Sequence, residues 1–305
     1  MNSDARAPHW RAALQLLASM SLAGTYVALV KPLAVLLPIF ALALLRFAIG
    51  AVALLPWSWR GRSEAPLTRL ECRQLFLQSF FGNFLFSVCM LSGVALTSAT
   101  AAGLVMSALP VVVALLSSVL LSERVTGRLL LAVGCAGAGI ALVQLARSAT
   151  PVAASSWLGN ALVLGAVCCE AVYVVIGKQL SATRTPMRVS AWINLWGLAL
   201  SAPLGLWQLA RVDWVAIPAR LWAYLVFYAL AASVVTVPLW MSGLRRTSAG
   251  IAGVFTVALP LSATAVAAGV LGETVTWLHA VALSFAVLAI VLAAMPAGRF
   301  ISKPD

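Results

Sequence analysis

Two stretches of the chain, 150 residues apart, repeat one another without a gap. Thr97-Ser98-Ala99, Ala102-Gly103, Ala108-Leu109-Pro110, Leu121, Glu123 and Val125-Thr126 recur as Thr247-Ser248-Ala249, Ala252-Gly253, Ala258-Leu259-Pro260, Leu271, Glu273 and Val275-Thr276. That is 12 identities in 30 aligned positions. Shared Ala and Leu content explains some of them, but not a proline and a glutamate held at one separation in both copies. The chain is therefore a duplication, and any fold it adopts must be built twice from one unit.

The unit belongs in a bilayer. Hydrophobic residues make up 63% of the chain and charged residues 9%, with a mean hydropathy of +1.03, too little charge to clothe a water-soluble surface. A spanning helix needs about 20 apolar residues. Ten such runs lie near 12–30, 34–56, 74–95, 98–121, 128–146, 157–179, 189–208, 220–243, 248–271 and 276–296. The expected fold is all-α integral membrane, with ten transmembrane helices as two inverted five-helix repeats over 12–146 and 157–294. The polar stretch 57–73 is the longest connection within a repeat, and 147–156 links the halves. The first run starts close to the N-terminus, but its length, Thr25 and Tyr26, and the matching run at 157–179 predict a retained helix rather than a cleaved signal.

A net charge of +12 suggests nucleic acid until the basic residues are placed. With the N-terminus cytoplasmic and ten spans following, 15 Lys and Arg residues fall inside, four fall outside, and Arg46 lies within a span. This asymmetry orients a membrane protein with both termini cytoplasmic. The basicity is a topology signal, and no nucleic-acid partner is expected.

Five spans per half is an odd number, so the second half must cross the bilayer in the opposite sense. Glu123 has Arg124 and Arg128 beside it, whereas Glu273 is followed by Thr274 and no basic residue. One unit is thus dressed with charge for both senses of insertion. Two inverted halves can exchange conformations and open a midplane site to one side and then the other, which predicts a secondary transporter.

Earlier spans match more weakly at an offset of 147. Trp10, Leu17, Tyr26, Val27, Lys31 and Leu33 align with Trp157, Leu164, Tyr173, Val174, Lys178 and Leu180. Gly50 and Pro56 align with Gly197 and Pro203, and Ser92-Gly93 returns to the 150 offset at Ser242-Gly243. Together with Arg46-Phe47 in the second span, these features make the chain resemble the drug/metabolite transporter superfamily in its EamA-type ten-helix form. The resemblance covers nearly the whole chain. It implies a basket of ten helices with a central cavity lined by helices 1, 3, 4, 6, 8 and 9. It further implies transport of amino acids, nucleosides, sugars or other small metabolites, often outward, and names no single substrate.

Candidate site residues follow from cost. Glu170 is the acid deepest in a span, and a central charge costs about 2.5–3.5 kcal/mol on insertion scales, so it should face the interior. It is the candidate proton-coupling or cation-binding carboxylate; the structural alternative pairs it with Arg46 or with hydroxyls. The Glu170 and Lys178 spacing resembles the first helix of the small multidrug resistance pumps, whose glutamate binds proton and drug. Arg46 reads first as a structural charge, past the midplane toward the cytoplasm, and second as a planar fork for a substrate carboxylate. Pro110 and Pro260 free backbone carbonyls near Met106 and Thr256 and are expected hinges or cavity-lining bends. Tyr26 and Tyr173 occupy equivalent places and suit small organic solutes. Asn83, Asn194, Phe84, Phe227, Tyr228, Trp240 and Phe255 join them as cavity candidates. Trp192 and Trp196 read as a packing or lipid-facing stripe, and Gly134-x-x-Gly137-x-Gly139 as a close-packing helix face. Glu123 and Glu273 read as architectural caps of the fifth and tenth helices, beginning after Thr126 and Thr276.

Catalysis has little to work with. His9 and His279 have no partner at metal or triad spacing, and Cys72, Cys89, Cys135, Cys168 and Cys169 contain no CxxC. No metal or cofactor is expected. The function expected is export of small metabolites such as amino acids across a bacterial-type inner membrane by a monomer or homodimer, with coupling to protons through Glu170. Cation or multidrug efflux by proton antiport is the nearest alternative. A multi-pass enzyme would need a charged cluster at one membrane face, and a sensor or assembly protein a soluble output domain.

Overall fold

The computed structural model describes residues 9–29, 33, 36–59, 64–97, 99–146, 156–214, 217–271 and 276–295. The described residues form helices and the short connections between them, with no strand. Ten helices are long and apolar enough to cross a bilayer: α1 Trp10–Leu29, α2 Ile39–Ser58, α3 Arg69–Leu96, α4 Ala101–Leu120, α5 Gly127–Ala146, α6 Trp157–Thr183, α7 Pro186–Leu209, α8 Ala219–Arg245, α9 Ala249–Val270 and α10 Trp277–Ala294. They form two inverted five-helix repeats. The face on which α1 begins is called the N-terminal face below, and the other the opposite face.

The duplication is visible in how helices begin. Thr68 caps α3 and Pro218 caps α8, 150 residues apart; Thr185 precedes α7 and Pro38 precedes α2, 147 apart. Because the repeats are inverted, α2 packs on its own image α7, and α5 on α10. Small residues permit the first of these contacts: a Cβ on Gly205 would stand 2.7 Å from Leu44 Cβ and 2.8 Å from the Phe40 carbonyl oxygen. The core is accordingly built from Ala, Val and Leu, with Phe255, Leu16 and Met241 among its fully buried side chains.

Several helices are irregular where the repeats meet. In α3 the stretch Phe80–Leu85 is π-helical, and so is Ala231–Thr236 in α8, at nearly the same offset as the rest of the repeat. A π turn inserts an extra residue and rotates the side chains after it, a device frequent at functional sites. The fourth helix is interrupted at Ser107–Ala108, so Pro110 stands in the first turn of its second half. In α9 the turn Phe255–Val257 tightens to 3₁₀ form just before Pro260. Each proline thus follows a helix interruption, as expected of a residue that lacks an amide donor. Thr256 satisfies a carbonyl there, donating its hydroxyl to Gly253 at 2.7 Å.

Glu123 departs from expectation. It caps α9, not α5: its carboxylate accepts the amides of Ala249 at 2.8 Å and Gly250 at 3.2 Å, across the repeat boundary. Ser122, with φ of 54°, turns the chain so that the side chain can reach. The α5 cap is Thr126, whose hydroxyl accepts the Leu129 amide at 3.2 Å. A carboxylate at a helix N-terminus is favoured by the macrodipole, which explains the choice of partner. At the other end of the connection between α8 and α9, Lys178 of α6 donates to the carbonyls of Leu244 at 2.8 Å and Thr247, neutralising the α8 C-terminus. Glu273 and Lys31 lie outside the described residues. In α10, His279 Nδ1 accepts the Thr276 amide at 3.1 Å and so serves as a cap.

Candidate functional site

A cavity of about 710 Å³ opens among α2, α3, α7 and α8 toward the opposite face. Its walls come from the start of α2 (Phe40, Ala43, Arg46, Phe47), the π turn of α3 (Gly82, Asn83, Phe84), and from Ser87, Ser201, Gln208 and Tyr228. The resemblance implied walls from helices 1, 3, 4, 6, 8 and 9; here α2 and α7 line the cavity. The reason lies in Phe47 and Gly197, which bring these two helices together below it. A Cβ on Gly197 would meet the Phe47 ring at 2.6 Å.

Most polar groups on these walls are already occupied. Ser87 donates to the Asn83 carbonyl at 2.6 Å, and Ser201 to the Gly197 carbonyl at 2.7 Å. Gln208 Oε1 accepts the amides of Phe40 and Ala41 at 2.9 and 3.0 Å, capping the start of α2. Sequence reasoning missed Gln208, since its partner is 168 residues away.

Arg46 is the exception. Its guanidinium donates to Asn83 Oδ1 at 3.3 Å and stands 4.1 Å from the Phe47 ring centroid and 5.6 Å from that of Tyr228. It has no ion pair with any described acid. Two sequence expectations therefore change. Arg46 does not pair with Glu170. Nor is it past the midplane: α2 begins at Ile39, so Arg46 lies only about 10 Å into the helix from the opposite face, at 1.5 Å per residue. The apolar run continues through Leu33–Pro38, which hid the true start of the helix. A cation on an aromatic wall, with donors unspent, suits a carboxylate or another planar anion.

Glu170 sits midway along α6, partly accessible, with no hydrogen bond or ion pair to a described residue. Tyr26 and Tyr173 lie within electrostatic reach of both Glu170 and Arg46. They stand behind the cavity wall. The Tyr26 ring packs on Tyr228 with centroids 5.2 Å apart. Tyr173 packs on Gly82, where a Cβ would come within 2.3 Å of the ring. Glycine is required at 82 for this approach. Structure thus gathers Arg46, Asn83, Phe84 and Tyr228 at the cavity, with Tyr26 and Tyr173 adjoining it and Glu170 three residues before Tyr173 on α6.

The remaining candidates lie elsewhere. Trp240 and Phe255 are buried in the apolar core, at 3% and 1% exposure. Thr256 is buried beside Phe255, and Phe227 is exposed on the outer surface. Asn194 is buried, donating to the Ser190 carbonyl and accepting from the Ser233 hydroxyl at 2.6 Å. Trp196 is a packing residue, its ring 5.1 Å from that of Phe76. No described cluster of His, Cys, Asp or Glu could hold a metal ion.

Known proteins resemble the chain in fold and in sequence. A solved crystal structure superposes over 92% of this chain and 96% of its own with a TM-score of 0.75; at 19% identity this likeness concerns the fold alone. The uncharacterized transporter YetK of Bacillus subtilis is 32% identical over 272 residues, 87% of this chain and 81% of that protein. Inner membrane protein YtfF of Escherichia coli is 29% identical over 137 residues, 42% of each chain. The EamA-like transporter profile matches residues 10–145 and again 157–295, once per repeat. With both halves matched, and with ten helices apolar enough to cross a bilayer among the described residues, the chain belongs to the EamA-like transporter family.

Proposed function

We propose that this transporter exports small metabolites bearing a carboxylate, such as amino acids, by alternating access between the units 12–146 and 157–294. Both termini are cytoplasmic, in a bacterial inner membrane. One observation carries the reading: the cavity lies toward one face, and the repeat images of its wall residues are buried. Its wall residues Arg46, Asn83 and Tyr228 have as inverted-repeat images Ile193, Ser233 and Gln78, which are 2%, 2% and 0% exposed. The space related by the duplication is filled. An inverted repeat with one open and one filled image is what a two-state exchange requires, because swapping the conformations of the halves moves the cavity to the other face.

Arg46 holds the substrate carboxylate, and the Phe40, Phe84 and Tyr228 wall holds its apolar part. Glu170, unpaired at mid-span, takes up and releases the coupling proton. The same unpaired carboxylate favours a second reading, efflux of an organic cation in exchange for protons. The family and the relative YetK are named as transporters, which agrees with a non-enzymatic role.

The test is flux in proteoliposomes with a labelled amino-acid panel and an organic-cation panel, with and without a pH gradient. Saturable flux of carboxylate solutes supports the proposal. Flux of cations alone supports the antiport reading, and no flux above empty vesicles overturns both.

A further inference from the structure

Arg46 is the one charged side chain among the described residues that line the cavity. Its bond to Asn83 leaves most of its N–H donors without a described partner, so the wall offers a planar fork to an anion. No described lining residue is an acid. Three acids are held at the N-terminal face instead. Glu71 accepts from Arg184 Nε at 2.7 Å, Glu64 from Arg188 at 3.1 Å, and Glu123 from the two amides that begin α9. Glu170 does not line the cavity, and Asp213 is exposed in the connection between α7 and α8.

The neutral acceptors of the wall are taken as well. An ammonium needs oxygen acceptors, and the side-chain amides of Asn83 and Gln208 would be the natural ones. Asn83 Oδ1 receives the guanidinium, and Gln208 Oε1 receives the amides of Phe40 and Ala41. What remains are the hydroxyl oxygens of Ser87, Ser201 and Tyr228, and the rings of Phe40 and Phe84, 6.2 Å apart. Ring faces attract cations, but those of Phe47 and Tyr228 already carry Arg46. A cation drawn from water into this place loses hydration that the wall restores only in part. It also enters beside a guanidinium of like charge.

We propose that the cavity selects carboxylates that carry no ammonium group: 2-hydroxy acids and other monoanionic acids with an apolar or aromatic body. The inference rests on the reading of Arg46 as the group that holds a substrate carboxylate. Amino acids enter through the carboxylate alone, and their second charge weakens binding. A hydroxyl in its place is served, because it accepts from an N–H donor or donates to a serine oxygen. A volume of about 710 Å³ holds a body the size of an aromatic ring. Selectivity is a difference between two affinities, and here the repulsive element is Arg46 itself.

The experiment is isothermal calorimetry on the purified full chain in detergent at pH 7, with two matched pairs of probes. Phenyllactate is compared with phenylalanine, and leucine with its 2-hydroxy analogue; each pair shares its carboxylate and its body. The hydroxy acid is expected to bind at least tenfold more tightly than the amino acid. Asn83→Asp, close to isosteric, sets a carboxylate against Arg46 and is expected to bring that ratio within threefold. The proposal is overturned by amino acids that bind as tightly as their hydroxy analogues, or by a ratio that Asn83→Asp leaves unchanged. Where Asn83→Asp does not elute monodisperse, the parent ratio alone decides. Arg46→Gln separates this inference from the reading beneath it. Tighter binding of amino acids that is lost in Arg46→Gln overturns the selectivity and leaves the carboxylate reading in place. No binding of any probe, or binding that Arg46→Gln does not alter, overturns both.

Discussion

The guanidinium of Arg46 and the amide oxygen of Asn83 meet at 3.3 Å on the wall of a cavity whose other polar groups are largely spent on backbone partners. A charge-assisted hydrogen bond to an anion contributes about 1.5–3 kcal/mol. Arg46→Gln should therefore lower the apparent affinity for a carboxylate solute by about 10- to 100-fold with little change in thermal stability. Arg46→Lys should recover part of it, since the charge remains but the fork is lost. Competition binding by isothermal calorimetry on the purified protein checks both. Unaltered affinity in Arg46→Gln would assign the residue a structural role.

Glu170 leads to a separate expectation. Its carboxyl has no described partner to lose, so Glu170→Gln should fold and express like the parent. Flux in the parent should respond to an imposed pH gradient, and flux in Glu170→Gln should not. A pH response that survives the substitution would remove Glu170 from coupling.

Gly82→Ala tests how the site is packed. The added methyl group would come within 2.3 Å of the Tyr173 ring and within 2.9 Å of its Cβ, so the two helices must part. Overpacking of this kind costs about 1–3 kcal/mol. The melting temperature in detergent should fall, and Tyr173→Leu added to Gly82→Ala should return part of the loss. Additive effects of the two substitutions would show that the contact is not the cause.

The loop acid Glu64 sets a limit at low pH. Burial pushes its pKa up, but hydrogen bonds from Thr185 and Arg188 outweigh this, and the net shift is downward. A carboxyl whose folded pKa is depressed binds its proton more readily when unfolded. Its contribution is therefore complete above the ordinary Glu value near 4.3 and lost as pH falls through the folded pKa. Melting temperature measured from pH 6 to pH 3 should decline less in Glu64→Gln than in the parent over the acid end of that range. Parallel curves would contradict this.

Much of the architecture is legible in the chain because a bilayer leaves few choices. Ten apolar runs and a Pro and Glu repeated at one separation give the spans and the inversion. What escapes is whatever depends on a distant partner. Nothing local in Phe80–Leu85 or Ala231–Thr236 encodes a π turn; neither contains proline, and both arise where the repeats pack. Glu123 reads as a cap for the helix that follows it, yet its partner amides are more than 120 residues away. Arg184 counts toward topology as one more cytoplasmic charge, and only the fold brings it to Glu71. Arg46 is legible as an intramembrane charge, but its depth is not, because the apolar run passes unbroken into α2. Asn83 and Tyr228 stand on the cavity wall, whereas Trp240 and Phe255 are buried in packing, and an aromatic of either kind looks alike in sequence.

Exchange of access between the two faces is tested most directly by following both sides of the bundle at once. Single cysteines at Ser87, on the cavity wall, and at Gln78, the buried image of Tyr228, are labelled with an impermeant reagent from each face of sealed vesicles. The result expected is that Ser87 reacts only from the opposite face and Gln78 only from the N-terminal face, with substrate or pH gradients that raise one rate lowering the other. Reaction of both sites from one face, or rates that rise and fall together, would contradict an alternating pair of inverted repeats.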